Sequence, residues 1–315
     1  MGRRGLTIGL VTVGTVAVLM TAAFLVVPGL RPTVSASQTT AAQPSAPELP
    51  TTPPTTTSTP TSTTSTPTNA LTASQRDQLL DAVTEALNEN SPKAELGFTV
   101  YDRVTGTTVL STGADTPMYT ASVVKLLIAI DSLRKNNWDT TSDNAEDITE
   151  MLEGSNDSTA SSLWVEDGGT SIIARMAALI GLRHTVAATD PGQWGMAKAS
   201  PNDVVAIYQY IDTQLPVNAS QLIMSALAGS KSTADDGFPQ RFGIPDGLPG
   251  STWAVKQGWM VLKSSLVLNT TGVVGPNSRY VVVMMTQLRA GTSEAKGRTA
   301  VTAAIAAAKP AFATS

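Results

Sequence analysis

The 315-residue chain contains no cysteine, one histidine (His184) and few aromatics, 5% of its residues. Without cysteine there is no disulfide framework, no thiolate nucleophile and no sulfur-ligated metal site. A single histidine leaves a histidine-based zinc site without its ligands. Any hydrolytic chemistry therefore needs another sort of base than a metal-bound one, and no cofactor is implied. Charge is sparse as well: charged residues make up 15% of the chain and the net charge is −4. No stretch clusters lysine and arginine with aromatics, so no nucleic-acid partner is expected.

The first residues are rich in what the rest lacks. Arg3 and Arg4 precede an uncharged apolar run, Leu6 to Val27, that ends at Pro28-Gly29. The basic end is expected to stay in the cytoplasm and send the rest of the chain across the membrane. The run meets the roughly 20 apolar residues that span a bilayer. It exceeds the apolar core of about 7–15 residues usual in a cleaved signal. Val34-Ser35-Ala36 nevertheless offers a small-residue cleavage site. Residues 1–30 thus read as a signal anchor or a signal peptide, and the product as extracytoplasmic, either membrane-anchored or secreted.

Residues 31–70 form a Thr/Pro/Ser-rich linker. The stretch "PTTPPTTTSTPTSTTSTPT" has no apolar side chains to bury and cannot offset the entropy of ordering. It reads as an extended, disordered tether. Residues 71–315 are left as one folded domain.

In that domain "SQRDQLLDAVTEALNEN" has helical spacing, with Ser74 as a candidate N-cap. "ELGFTVYD" and "TTVLST" are strand-like runs joined by "RVTG", a plausible hairpin. A helix-rich middle runs from Ala121 to about Leu227. Three β-rich runs come next, "TWAVKQGWM", "SSLVLNTTGVV" and "RYVVVMMTQL", and an alanine-rich helix closes the chain. Runs of like elements predict an α+β fold. The simplest assembly is a five-stranded antiparallel sheet covered by the two terminal helices, with the middle helices as a second lobe.

Chemistry enters with "YTASVVKLLIAI". Ser122 and Lys125 are three residues apart, on one face of a helix. Such a pair alone is weak, since roughly one is expected by chance in a chain this long. As structural residues they would be a helix-start serine and a solvated lysine. The surrounding Val123, Val124, Leu126, Leu127, Ile128 and Ile130 instead imply burial. A buried lysine is costly unless paired or neutral, and burial that lowers its pKa makes it usable as a base. The helix start also brings backbone N–H groups near Ser122, suited to an oxyanion. Two further stretches add to this. "GSNDSTASSLW" places Ser155 and a short amide or carboxylate ahead of a small-residue helix. "AVKQGWM" places Lys256 in a strand followed by Gly258, a residue that marks close approach of another backbone.

In this order, the three stretches resemble the motifs Ser-x-x-Lys, Ser-x-Asn and Lys-Thr-Gly of the serine β-lactamase and penicillin-binding-protein superfamily, class A in particular. The resemblance covers about Leu71 to the C-terminus and implies the β-lactamase/transpeptidase-like fold. It implies Ser122 as acylated nucleophile, Lys125 as its base and Ser155 as proton relay to the leaving nitrogen. Asp157 takes the place of the motif's asparagine, which holds the base lysine and the substrate amide. Lys256 corresponds to the lysine that binds a substrate carboxylate and orients Ser155. Trp259, after Gly258, would supply a backbone N–H to the oxyanion hole together with that of Ser122.

The departures carry expectations of their own. Asp157 brings a carboxylate expected to raise the pKa of Lys125, with Asn156 as the alternative holder of the amide role. Gln257 and Trp259 replace small hydroxyl residues and weaken a contact to a substrate carboxylate. The stretch "GLRHTVAATDPGQWGMAKASP" has no glutamate to activate a deacylating water; Asp190 is its one carboxylate, and Asp-Pro-Gly favours a turn. Glu166 and Asp167 come too soon after Ser155 to substitute. His184 reads as a loop or packing residue.

The implied activity is acyl transfer or hydrolysis on β-lactams or acyl-D-alanyl-D-alanine cell-wall peptides, with deacylation slower than acylation. The alternative is a catalytically weak or inactive relative that binds wall peptide or a protein partner.

Overall fold

A computed structural model describes residues 71–312. The apolar run and the Thr/Pro/Ser tract of residues 1–70 lie outside the described residues. Among the described residues no helix is long and apolar enough to cross a membrane.

Helix α1 (Ala73–Asn90) opens on Thr72 rather than on Ser74. The Thr72 side chain accepts from the Gln75 N–H at 3.2 Å, and Gln75 Oε1 accepts from the Thr72 N–H at 2.9 Å. This reciprocal box needs Thr-x-x-Gln, a spacing that Thr72 supplies and Ser74 does not. Strands β1 (Glu95–Asp102) and β2 (Thr107–Thr112) form the hairpin. The Asp102 carboxylate closes its turn by accepting from the N–H groups of Val104 and Thr105 at 2.9 and 3.4 Å.

A two-residue strand β3 (Met118–Tyr119) leads into a 3₁₀ turn (Ala121–Val124) and helix α2 (Lys125–Lys135). Helices α3 (Asp143–Glu153), α4 (Asp157–Glu166) and α5 (Ser171–Ile180) come next. Strand β4 (Lys198–Ala199) pairs with β3, a small ladder too short to show in the residue pattern. Helices α6 (Pro201–Thr213), α7 (Val217–Ala228) and the short α8 (Ile244–Gly247) complete the middle. The chain ends with β5 (Trp253–Val261), β6 (Ser265–Val274), β7 (Tyr280–Arg289) and α9 (Glu294–Ala307).

The five long strands form one antiparallel sheet in the order β2-β1-β7-β6-β5. Central β7 is apolar on both faces because both are covered. Val281, Val283 and Met285 pack into the helical-lobe core with Leu126 and Ile130 of α2. Val282, Met284 and Leu288 pack into a second core with Val83, Leu87, Val301 and Ile305 of α1 and α9. Each such fully buried side chain contributes on the order of 1.5–3 kcal/mol. Helix α2 thus runs through the interior, and its one buried carboxylate, Asp131, is held by the Arg175 guanidinium of α5. This interior position brings the start of α2 against edge strand β5.

Candidate active site

Three segments meet at the start of α2. The first is the 3₁₀ turn carrying Ser122, the second the entry to α4, the third the middle of β5. Ala121, just before Ser122, has φ +44°, and Ser155 has φ +52°. Non-glycine residues in this left-handed region cost about 1–3 kcal/mol each and persist where the surroundings dictate them.

Gly258 makes the meeting of β5 and the turn possible. A Cβ there would lie 2.6 Å from Thr120 O, 3.2 Å from Val123 Cγ2 and 3.3 Å from the Ser122 backbone nitrogen. Its cross-strand partner on β6 is Asn269. The Asn269 amide donates to Tyr119 O at 2.8 Å and Thr120 O at 3.0 Å, gripping the chain that leads to Ser122. Motif and spacing do not single out Asn269; the visible signal is a lone amide in the apolar run "SLVLNTTGVV".

Lys125 is fully buried, 0% exposed. Its Nζ lies 3.0 Å from Ser122 Oγ, 2.6 Å from Ser155 O, 3.2 Å from Ser155 Oγ and 2.6 Å from Asp157 Oδ1. The Trp194 ring faces the same nitrogen at 4.9 Å. Lys256, 1% exposed, donates to Ser155 Oγ at 2.9 Å and Gln257 O at 3.3 Å. Behind it, Tyr208 OH and Thr271 Oγ1 are 3.0 Å apart, and Thr271 Oγ1 donates to Lys256 O at 2.8 Å.

Burial pushes the Lys125 ammonium below the ordinary lysine range. The Asp157 carboxylate pulls it upward, as do Asp236 and Asp235 more remotely, but burial outweighs them. Asp157 therefore acts in the direction expected from sequence without deciding the outcome. Its own side chain is 64% exposed, which weakens its hold on the lysine. Lys256 is pushed well below the ordinary range, first by burial and then by the neighbouring Lys125 charge. The arrangement is a hydroxyl beside a lysine biased toward its neutral form, with a second hydroxyl bridging to another such lysine. It can accept a proton from Ser122 and pass one through Ser155.

Asn156 does not take an amide role beside Lys125. It is the N-cap of α4: its Oδ1 accepts from the Thr159 N–H at 2.9 Å, and its Nδ2 donates to Glu150 and Asp235 carboxylates at 3.1 and 3.0 Å. Capping aims its side chain at its own helix and leaves Asp157 to meet the lysine. Gln257 spends its amide N–H groups on the carbonyls of Gln240 (3.0 Å) and Phe242 (2.8 Å). Trp259 Nε1 donates to Asp236 Oδ2 at 2.9 Å, and its ring stacks on Phe238 at 4.6 Å.

A cavity of about 260 Å³ opens onto Ser122, walled by Asp157, Ser161, Gln193, Trp194 and Trp259. Asp190 is not among its lining residues. The Asp190 carboxylate accepts from the Gly192 N–H at 2.9 Å and its carbonyl from Gln193 N–H at 3.0 Å, so it closes the Asp-Pro-Gly turn. Glu166 ends α4, and Asp167 is bound by Lys135 at 3.1 Å. His184 is a half-exposed loop residue whose backbone N–H donates to Asp203. Nothing in the local sequence marks Ser161 or Trp194 as site residues, since a tertiary contact brings them to the cavity.

No protein-family model matches the chain. It is 39% identical over 198 residues to the proteins named "Putative lipoprotein LppW" of Mycobacterium tuberculosis and Mycobacterium bovis. The match spans 61% of this chain and 62% of those relatives' length. Among solved structures, PBP-A superposes with a TM-score of 0.58 at 17% identity, covering 75% of this chain and 96% of that one. A class A β-lactamase from Mycobacterium abscessus gives 0.61 at 19% identity, covering 75% and 99%. The β-lactamase from Streptomyces albus G gives 0.59 at 18%, covering 76% and 100%. At such identities the likeness is one of fold.

Proposed function

We propose, from the premise that this chain has the serine β-lactamase and penicillin-binding-protein fold, that it is a serine acyl-enzyme former acting outside the cytoplasm. The observation that carries this reading is the 3.0 Å contact between Ser122 Oγ and the Nζ of a lysine that burial biases toward neutrality. Ser122 Oγ attacks an acyl carbonyl while Lys125 takes its proton. The backbone N–H groups of Ser122 and Trp259 receive the developing oxyanion. The proton then reaches the leaving nitrogen through Ser155 Oγ, which Lys256 orients. Atoms balance: the Ser122 O–H and the acyl–nitrogen bond break, and an ester and an N–H form.

The substrate class we infer is a β-lactam or an acyl-D-alanyl-D-alanine peptide of the cell wall, with Asp157, Lys256, Gly258 and Trp259 shaping the binding side. Export rests on the run Leu6–Val27, and the relatives' lipoprotein name agrees with a place at the membrane. No cysteine occurs in the 315 residues, so a thioether-linked lipid has no attachment point on them. The tether would then hold the domain away from the membrane, or a cleaved chain would be released.

The second reading is a weakly active or inactive binding domain for wall peptide or a protein partner. It is favoured by the carboxylate of Asp157 on the base lysine and by a Gln257 already spent on backbone carbonyls.

One experiment tests both. The full chain is incubated with a labelled penicillin and followed by intact-mass spectrometry. A lasting adduct that Ser122→Ala lacks supports the acyl-enzyme. An adduct that appears and is released within seconds points to efficient hydrolysis. No adduct at any concentration favours the binding domain.

A further inference from the structure

The Trp194 indole sits where it decides what reaches the base. Around Lys125 Nζ the space is taken by Ser122 Oγ, Ser155 O, Ser155 Oγ and Asp157 Oδ1, and the remaining side is covered by the Trp194 ring at 4.9 Å from its centroid. A water between the ammonium and the ring would need about 2.8 Å for its hydrogen bond. It would need roughly 3.5 Å more for contact with the ring. The 4.9 Å gap is shorter than that sum.

The ring is also fastened. Its Nε1 donates to Ser161 Oγ at 3.1 Å, and Ser161 stands one turn beyond Asp157 on α4. One face of α4 thus presents Asp157 to the lysine and Ser161 to the indole. A second tryptophan, Trp164 of α4, donates to Pro191 O at 2.8 Å and holds the loop that leads to Trp194. Downstream, a Cβ on Gly195 would lie 3.7 Å from Ala121 Cα, so the loop backbone rests beside the turn that carries Ser122.

We propose that Trp194 is a positioning residue that keeps water in the cavity at Ser122 from reaching Lys125 Nζ, so that no lysine-activated water attacks and the acyl-enzyme outlives its formation. This rests on the acyl-enzyme reading above. In the excluded step a water oxygen bonds to the acyl carbon and the bond from that carbon to Ser122 Oγ breaks. One water proton returns to Ser122 Oγ and the other leaves with the carboxylic acid. Acylation itself uses no water.

The test uses the full chain, a labelled penicillin and 4-nitrophenyl acetate as a small acyl donor, with adduct formation and loss timed separately by intact mass. Trp194→Ala is expected to lose its Ser122 adduct at least tenfold faster than the parent, a gain read from the loss phase alone, whatever the change in the rate of formation. Trp194→Phe keeps a ring and should behave like the parent. Ser161→Ala, which frees the indole without removing it, should fall between. A folding defect would slow formation and give no faster loss, whereas this role requires faster loss. Equal adduct lifetimes in parent and Trp194→Ala overturn the role of Trp194 and leave the acyl-enzyme standing. Rapid loss in the parent also overturns it. No adduct on Ser122 from either reagent in any of these proteins overturns the acyl-enzyme reading and this proposal with it.

Discussion

Lys125 and Lys256 donate to the same oxygen: Ser155 Oγ lies 3.2 Å from one Nζ and 2.9 Å from the other. Burial disfavours the charge on both ammonium groups, and the Lys125 charge pushes Lys256 down further. Asp157 offsets only part of the burial effect, and both lysines are displaced toward their neutral forms. Ser155 itself sits in the left-handed region, φ +52°.

Replacing Lys125 by methionine removes the proposed proton acceptor while keeping much of the side-chain volume. Acylation by labelled penicillin is expected to slow by about 10²–10⁴, the usual worth of a positioned base. Stopped samples analysed by intact mass read the rate directly. An unchanged rate would remove Lys125 from the mechanism.

Asp157→Asn removes the carboxylate that pulls the Lys125 pKa upward, while burial goes on pushing it down. The neutral, base-competent lysine then persists to lower pH. The rising limb of the acylation pH profile should move toward acid relative to the parent, with the plateau rate within a few-fold. A shift toward alkali would show that the carboxylate is not acting on the lysine as a charge.

Gly258→Ala places a methyl 2.6 Å from Thr120 O and 3.3 Å from the Ser122 nitrogen. Backbone must move, at a cost of about 1–3 kcal/mol as for other overpacked positions. The displaced atoms belong to the turn that carries Ser122. Acylation should therefore fall at least tenfold while thermal unfolding stays cooperative. A variant with parental acylation would separate the close approach from the chemistry.

Lys256 gives a stability signature. Its folded pKa is depressed, whereas the unfolded chain keeps the proton up to the ordinary value of about 10.4. Between the two values the unfolded state binds more protons, so stability rises with pH across that window and is lost again as pH falls through the folded value. Lys256→Met should flatten this rise in urea unfolding curves taken from pH 7 to 10. A slope identical to the parent's would mean that Lys256 does not titrate differently in the folded state.

Much of the scaffold was legible in the sequence because its signals are local. "ELGFTVYD" and "TTVLST" coincide with β1 and β2, and the three late β-rich runs match β5 to β7 within a residue at each end. Strand patterning and turn residues act over a few positions and need no distant partner. The pairing of Ser122 with Lys125 was legible for the same reason, since three residues on a helical turn bring side chains together. Where two neighbours compete, local pattern is ambiguous: Asn156 and Asp157 both offered a short polar group beside Ser155. The requirement of α4 for an N-cap took Asn156 and left Asp157.

The sequence by itself thus determined the five long strands and the two terminal helices, the lack of thiols, and three short motifs carrying Ser122, Lys125, Ser155 and Lys256. Only the tertiary structure decided the electrostatic balance at Lys125, because burial and a partner 32 residues away compete through space. Only it placed Asn269 behind Gly258, the indole of Trp194 over Lys125, and the Asp190 turn, already indicated by Asp-Pro-Gly, away from the cavity lining. Each of these depends on distances between segments far apart in the chain, and side-chain periodicity carries no record of such distances.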